Sequence, residues 1–213
     1  MNTKTRGQYT QYGEDHWHVS GNCPSCFKHV VYQSIGIHDA VPQSNGQLKF
    51  GHRRCPDPKC GQHVFFVSDG STTVCYPPEK LDFDATDIPK AITTSLTEAI
   101  ACHAAECYVA SALMVRRTLE ELCKDRGATG DNLKERIASL GTKVLLPAEL
   151  LQALDDLRLL GNDAAHIESQ EYDNIGKPEV EIAVSFTKEV LKAVYQYAGL
   201  LAKLKSLKKQ PTP

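Results

Sequence analysis

Cys23-Pro-Ser-Cys26 and Cys55-Pro-Asp-Pro-Lys-Cys60 decide the architecture of the first third of this chain. Each pair lies in a short, proline-containing turn that points two thiols at one centre. Together they supply the four soft ligands of a closed tetrahedral zinc site. With thiolates in all four positions no place is left for water or substrate, so this Zn2+ is read as structural, holding together a segment too small to build its own core. Any catalysis has to come from elsewhere. Around the cysteines, His29-Val-Val-Tyr-Gln-Ser-Ile-Gly-Ile37, Gln47-Leu-Lys-Phe-Gly-His52 and His63-Val-Phe-Phe-Val-Ser68 are β-branched and aromatic runs, and Asp69-Gly70 is a turn signal before Thr72-Thr-Val-Cys-Tyr76. Residues 1–78 therefore read as a zinc ribbon of a few antiparallel strands, ended by Pro77-Pro78. Residues 79–92 read as a linker without periodicity.

The chain has 213 residues, 24 basic and 26 acidic, for a formal charge of −2. That balance excludes a global positive field, so any polyanion has to be met by a local patch. No apolar run approaches the roughly 20 residues of a membrane span, and Met1-Asn-Thr-Lys-Thr-Arg-Gly7 lacks the apolar segment of a secretory signal. The expectation is a cytoplasmic protein with no membrane contact and reduced cysteines, zinc being favoured over disulfides by the spacing of the pairs.

Beyond the linker the composition turns to Ala, Leu and Glu. Thr93 to Asp125 has no Gly or Pro and predicts one long helix, stopped by Gly127 and Gly130. A short helix is expected from Asn132 to Leu140 with Gly141 just past its end, and another from Pro147 to Leu160 before Gly161. A last long helix is expected from Glu179 to Lys205, with Ile182, Phe186, Val190, Val194, Tyr197, Leu201 and Leu204 as its buried stripe. The fold class is mainly α: a helical bundle over 93–206 behind a small β ribbon, with 207–213 as a solvated tail.

Arg158, Asn162 and His166 recur every four residues, which on one continuous helix places them on one face. Such a stripe suits a phosphodiester. Arginine clamps phosphate oxygens, the amide orients the backbone, and an imidazole exchanges protons near neutral pH; with RNA the adjacent 2′-hydroxyl attacks and no metal is needed. The structural reading stands beside it: Gly161 ends one helix, Asn162 caps the next, and His166 bonds a main-chain carbonyl between packed helices. A second polar cluster, Arg116, Arg117, Glu120 and Glu121, either pairs along a solvated helix face or sends Arg117 and Glu120 across to the Arg158 stripe. Cys75, Cys102, Cys107 and Cys123 form no knuckle and are read as core. Trp17 and Phe65-Phe66 are read as ribbon core, with base stacking as the alternative.

Pro89, Glu98-Ala99, Arg117 with Leu119-Glu120, Leu133 with Ile137, and above all Arg158-Leu-Leu-Gly-Asn-Asp-Ala-Ala-His166 resemble the bacterial family of domain of unknown function 4145. The resemblance spans roughly 20 to 205. That family is similar to the HEPN group of helical domains, many of them metal-independent ribonucleases of toxin, CRISPR-associated and antiviral systems that work as dimers. The resemblance implies RNA binding or RNA cleavage in a defence or toxin setting, with His166 as acid/base, Arg158 stabilising charge and Asn162 orienting the scissile group. It also implies a homodimer. The HEPN pattern is Arg-Asn-x-x-x-His, whereas here Gly161 precedes Asn162 and the arginine lies earlier, at Arg158. The rival implication is a non-catalytic interaction or dimerisation module.

Overall fold

The computed structural model describes residues 9–11, 17–42, 48–144, 146–165 and 175–207. The chain divides into two compact units, Met1–Asp82 and Phe83–Pro213. It is mainly helical, with small antiparallel sheets confined to the first unit.

In the first unit a five-stranded antiparallel sheet runs in the order β1 (Tyr9–Gln11), β4 (Gln33–Pro42), β5 (Lys49–Arg54), β6 (His63–Ser68), β7 (Thr73–Tyr76). A separate hairpin pairs β2 (Ser20–Asn22) with β3 (His29–Val31). The β6–β7 turn is closed by the Asp69 carboxylate, which accepts from the N–H groups of Ser71 and Thr72 at 3.0 and 2.8 Å. This is the ordinary role of Asp in a turn. Val19, Cys23, Tyr32, Cys55, Val64 and Phe66 form the buried core, with Trp17, Cys26, Cys60 and Cys75 packed against it. The cysteine site is thus part of this unit's core.

That core also holds an ion pair. Arg53 and Asp39 are 1 % and 3 % exposed, and the guanidinium meets the carboxylate through two parallel bonds of 2.8 and 2.7 Å. Arg53 also donates to the carbonyls of His52 and Trp17 and lies 4.4 Å over the Phe66 ring. Asp39 accepts in addition from the Trp17 N–H. Both charges are therefore desolvated with their hydrogen-bonding capacity engaged.

The second unit is helical: α1 (Lys90–Ala104), α2 (Tyr108–Asp125), α3 (Leu133–Leu140), α4 (Ala148–Ala165), α5 (Lys177–Leu191), a π turn (Lys192–Gln196) and α6 (Tyr197–Ser206). The single helix expected over 93–125 is two. Glu106 adopts φ +60°, the Cys107 N–H bonds back to the Cys102 carbonyl and the Glu106 N–H to that of His103. These are the paired closing bonds of a Schellman motif, here built without glycine, which is why the Ala-rich run concealed the break. At the end of α2 the same motif uses Gly127 at φ +65°, as the sequence suggests. Asn132 caps α3 by accepting from the Glu135 N–H at 3.1 Å.

The second correction concerns α4, which runs through Gly161 to Ala165 instead of stopping at Leu160. Gly161 is buried, and a Cβ built there would lie 2.6 Å from Cβ of Arg116 on α2. The glycine is thus a close-approach point between helices and not a terminator. Gly161→Ala is expected to be destabilising by about 1–2 kcal/mol, because overpacking of about 1–3 kcal/mol outweighs the helix propensity gained. A urea titration of the variant measures this.

The last helix begins at Lys177, after Gly176, and is interrupted by the π turn. Its expected stripe is also corrected. Val180, Ala183, Val184, Thr187, Val190, Leu191 and Val194 face the core, whereas Ile182, Tyr197, Leu201 and Leu204 are 51–70 % exposed. Ile182 already lies off the buried face of α5, and after the π turn no described residue of α6 is buried.

His103 of α1 is 8 % exposed, and among the described residues neither ring nitrogen makes a hydrogen bond, Nε2 only approaching the Glu181 carboxylate. Burial holds its pKa below the usual 6.5; Glu181 of α5, 3.4 Å away, opposes that shift, Lys177 adds to it, and the Tyr108 ring packs at 5.9 Å. The folded state therefore favours the neutral ring. Below pH 6.5 the unfolded chain takes up the proton first, so this contribution is complete above that pH and declines as pH falls toward the depressed folded value. Helical urea midpoints at pH 7.5 and 5.5 are expected to differ less in His103→Leu than in the parent.

Candidate metal centre and sheet face

The Sγ atoms of Cys23, Cys26, Cys55 and Cys60 all lie within 4.8 Å of one another, with Cys23 to Cys60 at 3.7 Å and Cys26 to Cys55 at 3.8 Å. Four sulfurs about 2.3 Å from a common zinc ion sit about 3.8 Å apart, so the set is compatible with a tetrahedral thiolate site. Local backbone makes it. The Cys23 N–H bonds the Lys28 carbonyl and the Cys55 N–H that of Gln62, and the residue after each second cysteine, Phe27 or Gly61, is left-handed at φ +61° and +60°. Such turns aim both thiols of a pair inward. Without a cation, burial pushes the Cys55 thiol up to about 12, while the Gln62 backbone N–H draws Cys60 down to about 7. The donor set suits a thiophilic divalent metal and leaves no ligand position for substrate.

Phe65, read from sequence as ribbon core with base stacking as the alternative, lies on the outer face of the five-stranded sheet. Cross-strand register places Ile35, His52, Phe65 and Tyr76 in one row across β4 to β7, and Gln33, Arg54 and His63 in the next. Phe65 and Tyr76 are 45 % and 50 % exposed, Phe50 packs on Phe65 at 6.2 Å, and His52 Nε2 meets His63 Nδ1 at 3.0 Å. None of these positions carries a carboxylate. Phe66, by contrast, points into the core at 0 % exposure. Strand alternation separates Phe65 from Phe66, and only the pairing register reveals that the outward residues line up.

In the helical unit, Arg158 and Asn162 lie one turn apart on α4, and His166 falls outside the described residues. Arg158 donates to the Asp155 carboxylate, holding that carboxyl below the usual range. Asn162 accepts from Arg116, whose Nε also lies 3.2 Å from Glu120. The residue crossing to α4 is therefore Arg116 and not Arg117, which pairs with Glu121 on its own helix. Arg117, Glu121, Lys124 and Arg136 line a hollow of about 590 Å³ beside Gly127 and Gly130, where both signs of charge meet. Of the four remaining cysteines, Cys123 is buried and pushed up to about 11 by that burial, Cys75 and Cys102 are half-buried, and Cys107 is exposed at the α2 N-cap instead of in the core.

Residues 97–210, more than half of the chain and all within the helical unit, match the sequence model of the domain of unknown function DUF4145. The chain belongs to the DUF4145 family. Neither a curated protein nor a solved structure matches it significantly. The Arg116–Asn162 contact and the Gly161 close approach both lie inside the DUF4145 domain, whereas the cysteine centre precedes it. Among the described residues, no helix is long and apolar enough to cross a membrane.

Proposed function

We propose that this protein binds single-stranded RNA through the outer sheet face of a zinc-stapled ribbon, attached to an HEPN-like helical domain that acts in a defence or toxin setting. The observation that carries the reading is the row His52, Phe65 and Tyr76 beside Arg54 and His63. Exposed rings on a sheet stack bases whatever their sequence, each at about 1–3 kcal/mol, while a neighbouring guanidinium meets the backbone. Because the chain as a whole is slightly acidic, such a local face is where a polyanion is accepted. Zn2+ held by Cys23, Cys26, Cys55 and Cys60 keeps that face rigid. The resemblance of the Arg158 to His166 string to HEPN motifs supports RNA over DNA.

Cleavage is the further step of this reading. His166 takes the proton of a 2′-hydroxyl as it attacks phosphorus and gives it to the departing 5′-oxygen, while Arg158 turns from Asp155 to the phosphate oxygens and Asn162, whose Oδ1 holds Arg116, donates to them through its amide nitrogen. Zinc-loaded protein is incubated with labelled single-stranded RNA in buffer free of added divalent cations. Binding with cleavage that vanishes in His166→Ala supports the nuclease. Binding with intact RNA leaves an RNA-binding protein, and absence of binding rejects the proposal. The exposed leucines of α6 favour a second role, as an interaction or dimerisation module.

A further inference from the structure

Apart from the metal centre, the turn between α1 and α2 brings a second pair of cysteines together. On one continuous helix Cys102 and Cys107 would point about 140° away from each other, but Glu106 at φ +60° ends α1 and turns the chain. The Cys107 N–H then donates to the Cys102 carbonyl at 2.9 Å, the outer closing bond of the Schellman motif. In that motif the side chains on either side of the outer bond face each other, ordinarily as an apolar contact. Here both are thiols. One N–Cα bond and the span from a carbonyl oxygen to its own Cα, added to that contact, keep the two α-carbons no more than about 6.8 Å apart, within the roughly 4.4–6.8 Å that disulfides bridge.

The two sulfurs are differently placed. Cys107 is exposed at the α2 N-cap, with its Sγ over the turn, 3.6 Å from the Ala105 carbonyl. Cys102 is half-buried; burial raises its thiol above the usual value, and the charge that the Cys107 sulfur can carry raises it further. The third cysteine of the helical unit, Cys123, is buried sixteen residues along α2 from Cys107, about 24 Å at the helical rise. Glu106 carries a Cβ where such turns normally use glycine, a local strain of the kind held in place where a turn's geometry is put to use.

We propose that Cys102 and Cys107 are an oxidation site that closes reversibly to a disulfide across the α1–α2 turn, with a low-molecular-weight disulfide of the glutathione type as co-reactant. The exposed Cys107 thiolate attacks one sulfur of that disulfide and releases one glutathione. Cys102, deprotonated in its turn, attacks the Cys107 sulfur of the mixed disulfide and releases the second. Two protein thiols are oxidised to one disulfide, one glutathione disulfide is reduced to two thiols, and the two cysteine protons end on the two glutathiones. The closed loop ties α1 to α2, the helix whose Arg116 holds Asn162 of α4. The four cluster sulfurs take no part while they hold a metal, and the site is independent of RNA binding.

The test equilibrates the full-length, zinc-loaded chain in glutathione buffers of graded oxidised-to-reduced ratio, alkylates free thiols and digests with trypsin. Both cysteines lie on one tryptic peptide, residues 91–116, so closure within a chain appears as that peptide unalkylated and lighter by two hydrogen atoms. This species is expected in the wild type and absent from Cys102→Ser and Cys107→Ser, with Cys102→Ser carrying glutathione on Cys107 instead. A synthetic peptide of residues 91–116 in the same buffers separates the folded turn from mere nearness in sequence. Half-closure of the folded chain is expected at a ratio about tenfold or more less oxidising than that of the peptide, because the fold already holds the sulfurs together. Absence of the closed species, glutathione on Cys107 beside a free Cys102 throughout, or a folded chain that closes no more readily than the peptide overturns the proposal.

Discussion

Removing zinc from the Cys23, Cys26, Cys55 and Cys60 centre is expected to unfold the ribbon while the helices persist. The four sulfurs belong to the ribbon's small core, so losing the cation both removes a cross-link and leaves packed thiols to take back protons. Structural zinc contributes on the order of 10–16 kcal/mol in comparable small modules, more than a core of this size supplies by burial. The chain's one tryptophan, Trp17, reports on that unit alone. Chelation, or Cys23→Ser with Cys55→Ser, should therefore change Trp17 fluorescence sharply and lower the zinc content from about one equivalent to near zero. The 222 nm signal should fall little, since α1 to α5 have their own buried core. Because bound sulfurs are deprotonated, zinc affinity falls as pH falls: Cys60, at about 7, competes with protons only below that pH, whereas Cys55, pushed up to about 12, gives up a proton to the metal throughout the neutral range. Retention of the ribbon's fluorescence after complete zinc loss would reject the structural role.

Asp39→Ala is the point substitution expected to cost most. It leaves the Arg53 guanidinium 1 % exposed with no counter-charge and removes the acceptor of the Trp17 N–H. Breaking a buried pair from one side costs about 3–5 kcal/mol, much of it the penalty of the orphaned ion. Replacing both partners, as Asp39→Val with Arg53→Leu, is expected to recover most of the loss, because neither charge is then buried. Thermal unfolding followed through Trp17 measures both. A double variant as unstable as the single one would show that the loss comes from packing around Phe66 and not from charge.

How far the sequence carries the structure depends on the range of the signal. Cys23, Cys26, Cys55 and Cys60 announced the four-thiol cluster, because residue type and spacing alone place such ligands together. The mainly helical second part was equally legible from composition. The break at Glu106 was not, since a left-handed residue other than glycine or asparagine leaves no compositional trace. Nor was the path of α4, because glycine in a helix reads as a stop until the Arg116 side chain against Gly161 is seen. The stripe on the last helix was placed on Ile182 and Phe186 where Val180, Ala183 and Thr187 are buried, and it was carried past the π turn into α6, none of whose described residues is buried. The sheet face lay hidden for a related reason. His52, Phe65 and Tyr76 are far apart in the chain, and only the antiparallel register of β5, β6 and β7 sets them side by side.

The most direct test of the account is the affinity of zinc-loaded protein for a fluorescent single-stranded RNA, measured by anisotropy for the parent, Phe65→Ala, Tyr76→Ala and the double variant. The account predicts a loss of about 5- to 150-fold for each single substitution, and more for the pair, at about 1–3 kcal/mol per stacked base, with zinc content and helical signal unchanged. Equal affinity of parent and double variant, both holding zinc, would contradict it.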